Sequence, residues 1–78
     1  MIRVGIIGAG AIASVHVDSY KRFPEQAVIV AVCDSFKNKA EKLIAEKSLK
    51  AVAYDDYTKL LADPKIDAVS LCLPPNLH

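Results

Sequence analysis

The sequence predicts an α/β domain built on a doubly wound parallel sheet, and three observations carry that expectation. Apolar segments alternate with helical ones along the chain: Ile2 to Ile7, Ala27 to Cys33, Ala51 to Tyr54 and Ala68 to Leu73 read as strands with amphipathic stretches between them. The second of these, Ala-Val-Ile-Val-Ala-Val-Cys, is apolar without alternation, as befits a strand covered by helices on both faces. The first runs directly into Gly8-Ala9-Gly10-Ala11-Ile12-Ala13, a G-x-G-x-x-A turn that opens a helix.

Each element has its own start and stop signals. The first helix runs from about Ala11 to Arg22 and stops because Pro24 disfavours helical geometry at Phe23. Asp34 closes the second strand. Ser35 is then expected to cap a second helix, in which Phe36, Ala40, Leu43 and Ile44 share one face while Lys37, Lys39, Glu41, Lys42, Glu46 and Lys47 lie mostly on the solvated side. After the third strand, Asp55 or Asp56 caps a brief helix with Tyr57, Leu60 and Leu61 on one face, and Asp63-Pro64 breaks it. Pro74-Pro75 forbids continuation of the fourth strand. If the first two crossovers progress in the same direction, right-handed connections put both helices on one face, and a third that crosses back, its helix on the other, gives the strand order 3-2-1-4. The reversal falls beside Gly8 and Gly10, where ligands bind such sheets. Cys33 and Cys72 then sit two strand spacings apart, about 9–10 Å, too far for a disulfide.

Composition narrows the functional classes. Seventy-eight residues make at most one small domain, with 53% hydrophobic and 24% charged residues. A formal charge of +1 gives no basis for a nucleic-acid or acidic-membrane partner. No apolar run approaches the roughly 18 residues of a membrane helix, and the start lacks the pattern of a signal peptide. A cytoplasmic location is therefore expected. The two cysteines form no C-x-x-C pair and have no neighbouring histidine pair, so no metal site is expected.

The chemistry lies in the glycine turn and in the acid that follows it. Gly8 allows a tight turn off the strand, Gly10 lets the main chain approach a pyrophosphate, and Ala13 lets the helix pack near the strand. The helix N-terminus offers free N–H groups and the positive end of its dipole to phosphates. Asp34 lies 21 positions after Ala13 at the tip of the second strand, where a carboxylate accepts hydrogen bonds from adenosine ribose hydroxyls. The same residue suits a helix cap, and the two roles are compatible. Its charge repels a 2′-phosphate and favours NAD over NADP, although Lys37 or Lys39 could serve as a phosphate partner.

Taken together, Gly8-Ala9-Gly10-x-x-Ala13 with His16, Val32-Cys33-Asp34, Tyr54-Asp55-Asp56-Tyr57-x-x-Leu60-Leu61, Ile66-Asp67-Ala68-Val69 and Pro74-Pro75-x-Leu77-His78 resemble the N-terminal Rossmann domain of the Gfo/Idh/MocA oxidoreductases. The resemblance covers essentially the whole chain. It implies use of NAD or NADP to oxidise or reduce a hydroxyl of a sugar, an inositol or a related compound. It places pyrophosphate at the backbone of Gly10, Ala11 and Ile12, and adenosine ribose at Asp34 with Ser35 beside it. Leu73, Pro74, Pro75, Asn76 and His78 would lie along the cofactor, with Leu73 where the family often has Thr, which leaves backbone contacts only. His16 is expected to serve packing or a helix end.

The family's Glu-Lys-Pro segment, its catalytic Asp and His and its β-rich substrate domain have no counterpart in these residues. The expectation is thus the cofactor-binding part of a dehydrogenase, with no catalytic residue of its own and a bare sheet face and edge that favour homo-oligomers. A non-catalytic nucleotide-binding or sensing module is the alternative. A methyltransferase shares the glycine turn and acidic tip, but the Pro-Pro-Asn-Leu-His ending favours the dehydrogenase.

Overall fold

Val4 and Ile6 bury on one side of the first strand, β1 (Ile2–Ile7), and Ile7 on the other, the alternation that a pleated strand imposes. The structure is a computed structural model and describes residues 2–8 and 10–72. Around β1 are arranged α1 (Ala11–Lys21), β2 (Ala27–Cys33), α2 (Lys37–Glu46), β3 (Val52–Tyr54), α3 (Tyr57–Leu61) and β4 (Ala68–Leu71). The sheet has the order β3-β2-β1-β4 and all three pairings are parallel, as expected from right-handed crossovers.

Two apolar layers hold the helices. Ala13 and Val17 of α1 and Ala40 and Leu43 of α2 pack with Val4, Ile6, Ile29, Val32 and Cys72 on one face. On the other, Leu60 of α3 packs with Ile7, Ala31 and Cys33. The two cysteines therefore lie on opposite faces of the sheet, both buried and both free. Burial pushes both thiols above their ordinary range.

Strand β2 explains its own unbroken apolar run. Val4 pairs with Ile29 but Gly5 pairs with Ala31, so Val30 is skipped in a bulge. The extra residue reverses the alternation. Ile29 and Val32 thereby bury in the α1–α2 layer, while Ala31 and Cys33 turn to α3. Close approach of α3 depends on Gly5, where an added Cβ would lie 2.9 Å from Leu60 Cδ2 and 3.2 Å from Ile66 Cδ1.

Helix ends depart from the expected pattern at α2. Ser35 is exposed and does not cap it; the N-cap is Phe36, and the Asp34 carboxylate accepts the Phe36 N–H at 2.9 Å. An Asp that reaches the N–H two residues on makes an Asx turn, and this delays the first helical residue to Lys37. Phe36 is exposed as a result, leaving Ala40, Leu43 and half-buried Ile44 as the inward stripe. At the other end Ser48 takes φ 54°, and the N–H groups of Leu49 and Ser48 donate to the carbonyls of Ile44 and Ala45 at 2.9 and 3.3 Å. This is a Schellman closure. Of the two aspartates before α3, Asp56 is the cap, accepting the Thr58 N–H at 2.9 Å and its hydroxyl at 2.6 Å.

With five residues, α3 covers little of its face. Tyr57, Leu61, Val69 and Leu71 remain exposed around an open cleft of about 400 Å³ floored by Ile7. Among the described residues, that face and the β4 edge thus present apolar side chains to solvent.

At the N-terminal end of the strands Arg3 and Asp67 clamp β1 to the chain entering β4. The Arg3 N–H and Nε donate to Asp67 Oδ2 at 2.9 and 3.2 Å, Nη2 donates to Oδ1 at 3.3 Å, and the Asp67 N–H returns a bond to the Arg3 carbonyl at 2.7 Å. The Arg3 guanidinium and N–H hold the Asp67 carboxyl below its ordinary value of 3.8. Asp56 is lowered by the Thr58 hydroxyl and N–H, and Asp63 by the Lys65 N–H and the Tyr54 hydroxyl.

Gly5→Ala should lose about 1–3 kcal/mol in urea unfolding, because Leu60 and Ile66 must move to admit the methyl group. The three lowered aspartates contribute stability that is fully present above their unfolded values and is lost as pH falls through the folded ones. The urea midpoint should therefore fall as the pH drops below about 4, and Asp67→Asn should make that decline shallower.

Candidate functional site

The site is built where β1 ends. Gly8 is buried with φ 97°, a conformation that strains any L side chain, and its N–H donates to the Cys33 carbonyl at 2.7 Å. On the other side, the Cys72 N–H donates to the Ile7 carbonyl at 2.8 Å. The glycine turn is thus tied to the ends of both neighbouring strands.

Gly10 follows as the exposed N-cap of α1, with extended backbone (φ −85°, ψ −163°) and its carbonyl accepting the Ser14 N–H at 3.2 Å. No side chain caps this helix and its first turn holds no acid, so the leading N–H groups have no acceptor within the helix. Among the described residues, a Cβ added at Gly10 would meet nothing within 4 Å. An uncapped helix start that opens on free space fits a phosphate group approaching the backbone. Ala13 is fully buried against the sheet, the close helix–strand contact expected of the third small residue.

Asp34 stands at the end of β2, half-buried, with its N–H donating to the Tyr54 carbonyl at 3.0 Å and its carboxylate holding the Phe36 N–H. Ser35 is exposed beside it. The structure thus gathers Gly8, Gly10, the backbone of Ala11 and Ile12, Asp34 and Ser35 at the C-terminal edge of β1 and β2. Leu73, Pro74, Pro75, Asn76 and His78 lie outside the described residues. Lys39 places its ammonium 5.0 Å from the centre of the Phe36 ring, close to the acidic tip. Among the described residues no group of three or more His, Cys, Asp or Glu side chains could hold a metal ion, and no helix is long and apolar enough to cross a membrane.

One contact at this edge was not foreseen. Ser70 Oγ of β4 lies 3.3 Å from His16 Nδ1 of α1 and 3.9 Å from Cys72 Sγ. The available signal was Ser70 itself, a hydroxyl within the otherwise apolar Ala-Val-Ser-Leu-Cys-Leu. Its partner is 54 positions away and becomes visible only when β4 is set beside β1.

The Gfo/Idh/MocA family model, an oxidoreductase family with an NAD-binding Rossmann fold, matches residues 2–78. The chain belongs to that family. Among curated Gfo/Idh/MocA relatives, the D-glucoside 3-dehydrogenase of Escherichia coli is 42% identical over 77 residues, covering 99% of this chain and 22% of its own length. The crystal structure of myo-inositol dehydrogenase from Lactobacillus casei in complex with NAD(H) and myo-inositol superposes with a TM-score of 0.83 at 40% identity, over 91% of this chain and 21% of that one. A 3-ketoreductase from Actinomadura kijaniata in complex with NADP gives a TM-score of 0.86 at 27% identity, over 99% of this chain and 24% of that one. The chain spans about a fifth of the length of the curated relatives it matches.

The two turn glycines should separate stability from access. Gly8→Ala should cost about 1–3 kcal/mol in urea unfolding through backbone strain. Gly10→Ala, with its methyl group in open space, should cost below about 1 kcal/mol.

Proposed function

We propose that this chain is the NAD-holding part of a dehydrogenase acting on a hydroxyl of a sugar, an inositol or a related polyol. The observation that carries the reading is the uncapped start of α1 at Gly10, open to solvent and set beside the acidic end of β2. In this reading the backbone N–H groups of Gly10, Ala11 and Ile12 bind the pyrophosphate, with Gly8 shaping the turn. Asp34, with Ser35 beside it, accepts the adenosine ribose hydroxyls. Leu73, Pro74, Pro75, Asn76 and His78 lie along the remainder of the cofactor. The dinucleotide supplies the hydride acceptor or donor when bound. The chain's own residues bind it and orient it, and none of them is assigned as a catalytic acid or base.

NAD is favoured over NADP for electrostatic reasons. A 2′-phosphate on the adenosine ribose would sit against the Asp34 carboxylate, while Lys39 is placed over the Phe36 ring. The sugar and inositol substrates of the relatives suggest a polyol, bound by a substrate domain outside these residues. The chain is accordingly assigned as the N-terminal part of a Rossmann domain. Support comes from the fifth of the relatives' length that it spans and from the apolar cleft at Tyr57, Leu61, Val69 and Leu71, which further sheet and helix would cover. Left open, that cleft and the β4 edge favour homo-oligomers. The near-neutral charge offers nothing to nucleic acid or to an acidic membrane, and two free thiols suit a reducing, cytoplasmic compartment.

Fluorescence titration with NADH and NADPH tests this. NADH should bind at least tenfold more tightly than NADPH, and Gly10→Ala should weaken NADH at least tenfold. Absence of binding to either would overturn the reading, and a tenfold preference for NADPH would overturn the cofactor assignment.

A further inference from the structure

We propose that the cleft between α3 and the β3 edge binds a small organic phosphate, its dianionic head held by Lys50, Lys59 and Lys65 and a short apolar body laid on the sheet. The site shares no residue with the glycine turn or with Asp34, and it does not rest on the NAD-binding reading.

The short α3 leaves its face of the sheet open on the β3 side as well as on the β4 side. The opening there has a volume of about 530 Å³, within the range of small-molecule pockets. Val30, Val52 and Tyr54 form its sheet wall, and the end of α3 with the turn from Ala62 to Lys65 forms the other. Val30, the residue skipped in the β2 bulge, is half-buried here. Lys50 comes from the chain entering β3, Lys59 from α3 and Lys65 from the turn, so three segments bring a cation to one cavity.

The charges of this cleft are not balanced from within. Other lysines are engaged: Lys47 pairs with Asp18, Lys42 with Glu46, and Lys39 lies over the Phe36 ring. Among the described residues the three cleft ammoniums make no ion pair, and Lys59 and Lys65 act on Asp56 and Asp63 only through space. The carboxylate in the lining, Asp63, is already committed. Its Oδ1 accepts the Lys65 N–H and its Oδ2 the Tyr54 hydroxyl, both at 2.9 Å. The hydroxyl proton is thereby committed too, so Tyr54 gives the cleft its ring. Three positive charges against one negative leave two to be met, close to the charge of a phosphate monoester at neutral pH. Ammonium groups hold phosphate as point charges and need no forked geometry to do so. A peptide is the poorer fit, because a β3 of three residues is too short an edge to template a strand. Growth of a doubly wound sheet adds strands beyond β4 and keeps β3 outermost, which leaves the cleft at the free edge.

Titration of the isotope-labelled chain with phenyl phosphate, followed by amide shifts and calorimetry, tests the site. The Val52, Tyr54 and Lys65 amides should move. Inorganic phosphate should bind at least about threefold more weakly for want of the apolar body, and benzyl alcohol should not bind measurably. Each of Lys50→Gln, Lys59→Gln and Lys65→Gln should weaken phenyl phosphate about 2- to 5-fold, the range of an exposed charge pair, and the triple variant at least about tenfold. All three side chains are exposed, so the triple variant should keep its urea midpoint. Arginine at all three positions should retain affinity within about twofold, and Lys42→Gln on α2 should leave it unchanged. Equal loss in Lys42→Gln, shifts confined to the Gly10 turn, or tighter binding of an acidic peptide than of phenyl phosphate would overturn the proposal. Failure of the unmodified chain to bind NADH would overturn the functional reading above, while the cleft is decided by these shifts alone.

Discussion

Two backbone hydrogen bonds at the end of β1 organise this molecule. The Gly8 N–H reaches back to β2 at Cys33, and the Ile7 carbonyl receives the Cys72 N–H from the β4 side. They point in opposite directions, so three parallel strands end together and the chain must turn out of the sheet at a single residue. That turn demands the positive φ of Gly8, and it delivers α1 with its N-terminus facing outward. Asp34 gains its place from the same arrangement, because the bond to Cys33 sets the last residue of β2 beside the turn.

The rest of the structure consists of two unequal halves hung on that junction. The α1–α2 side is closed: buried Val4, Ile6, Val17, Ile29, Val32 and Leu43 form a continuous layer, and Lys47 joins α2 to Asp18 of α1 at 2.9 Å. The α3 side has a few buried residues and a cleft. Leu60 carries most of that contact, made possible by the absence of a side chain at Gly5. The two faces differ accordingly, one holding the helix whose N-terminus no side chain caps among the described residues and the other leaving an apolar cleft between Tyr57, Leu61, Val69 and Leu71.

Much of this was legible in the residues. The strand order followed from three crossovers of one hand, and the turn, Asp34 and Ala13 were found by spacing, because local backbone requirements leave local signatures. Ser35 was misassigned because Ser and Asp are both good caps, and only the backbone path shows that Asp34 reaches Phe36 first. The bulge at Val30 was invisible, since a uniformly apolar strand carries no alternation to mark a change of register. The pairing of Ser70 with His16 was hidden for another reason: it joins side chains from distant segments, and neither residue's neighbours in the chain imply the other.

The bulge in β2 also gives the molecule some mechanical slack. Below it the strand answers to β1 in one phase, above it in the other, so the lower half of β2 and the acidic tip are not rigidly geared together. A family that inserts or loses a residue near Val30 can take up the change there, with Cys33 still paired to Ile7 and the carboxylate still beside the glycine turn. The spacing between turn and acid could then drift by one residue among homologous chains while the distance in space stays constant.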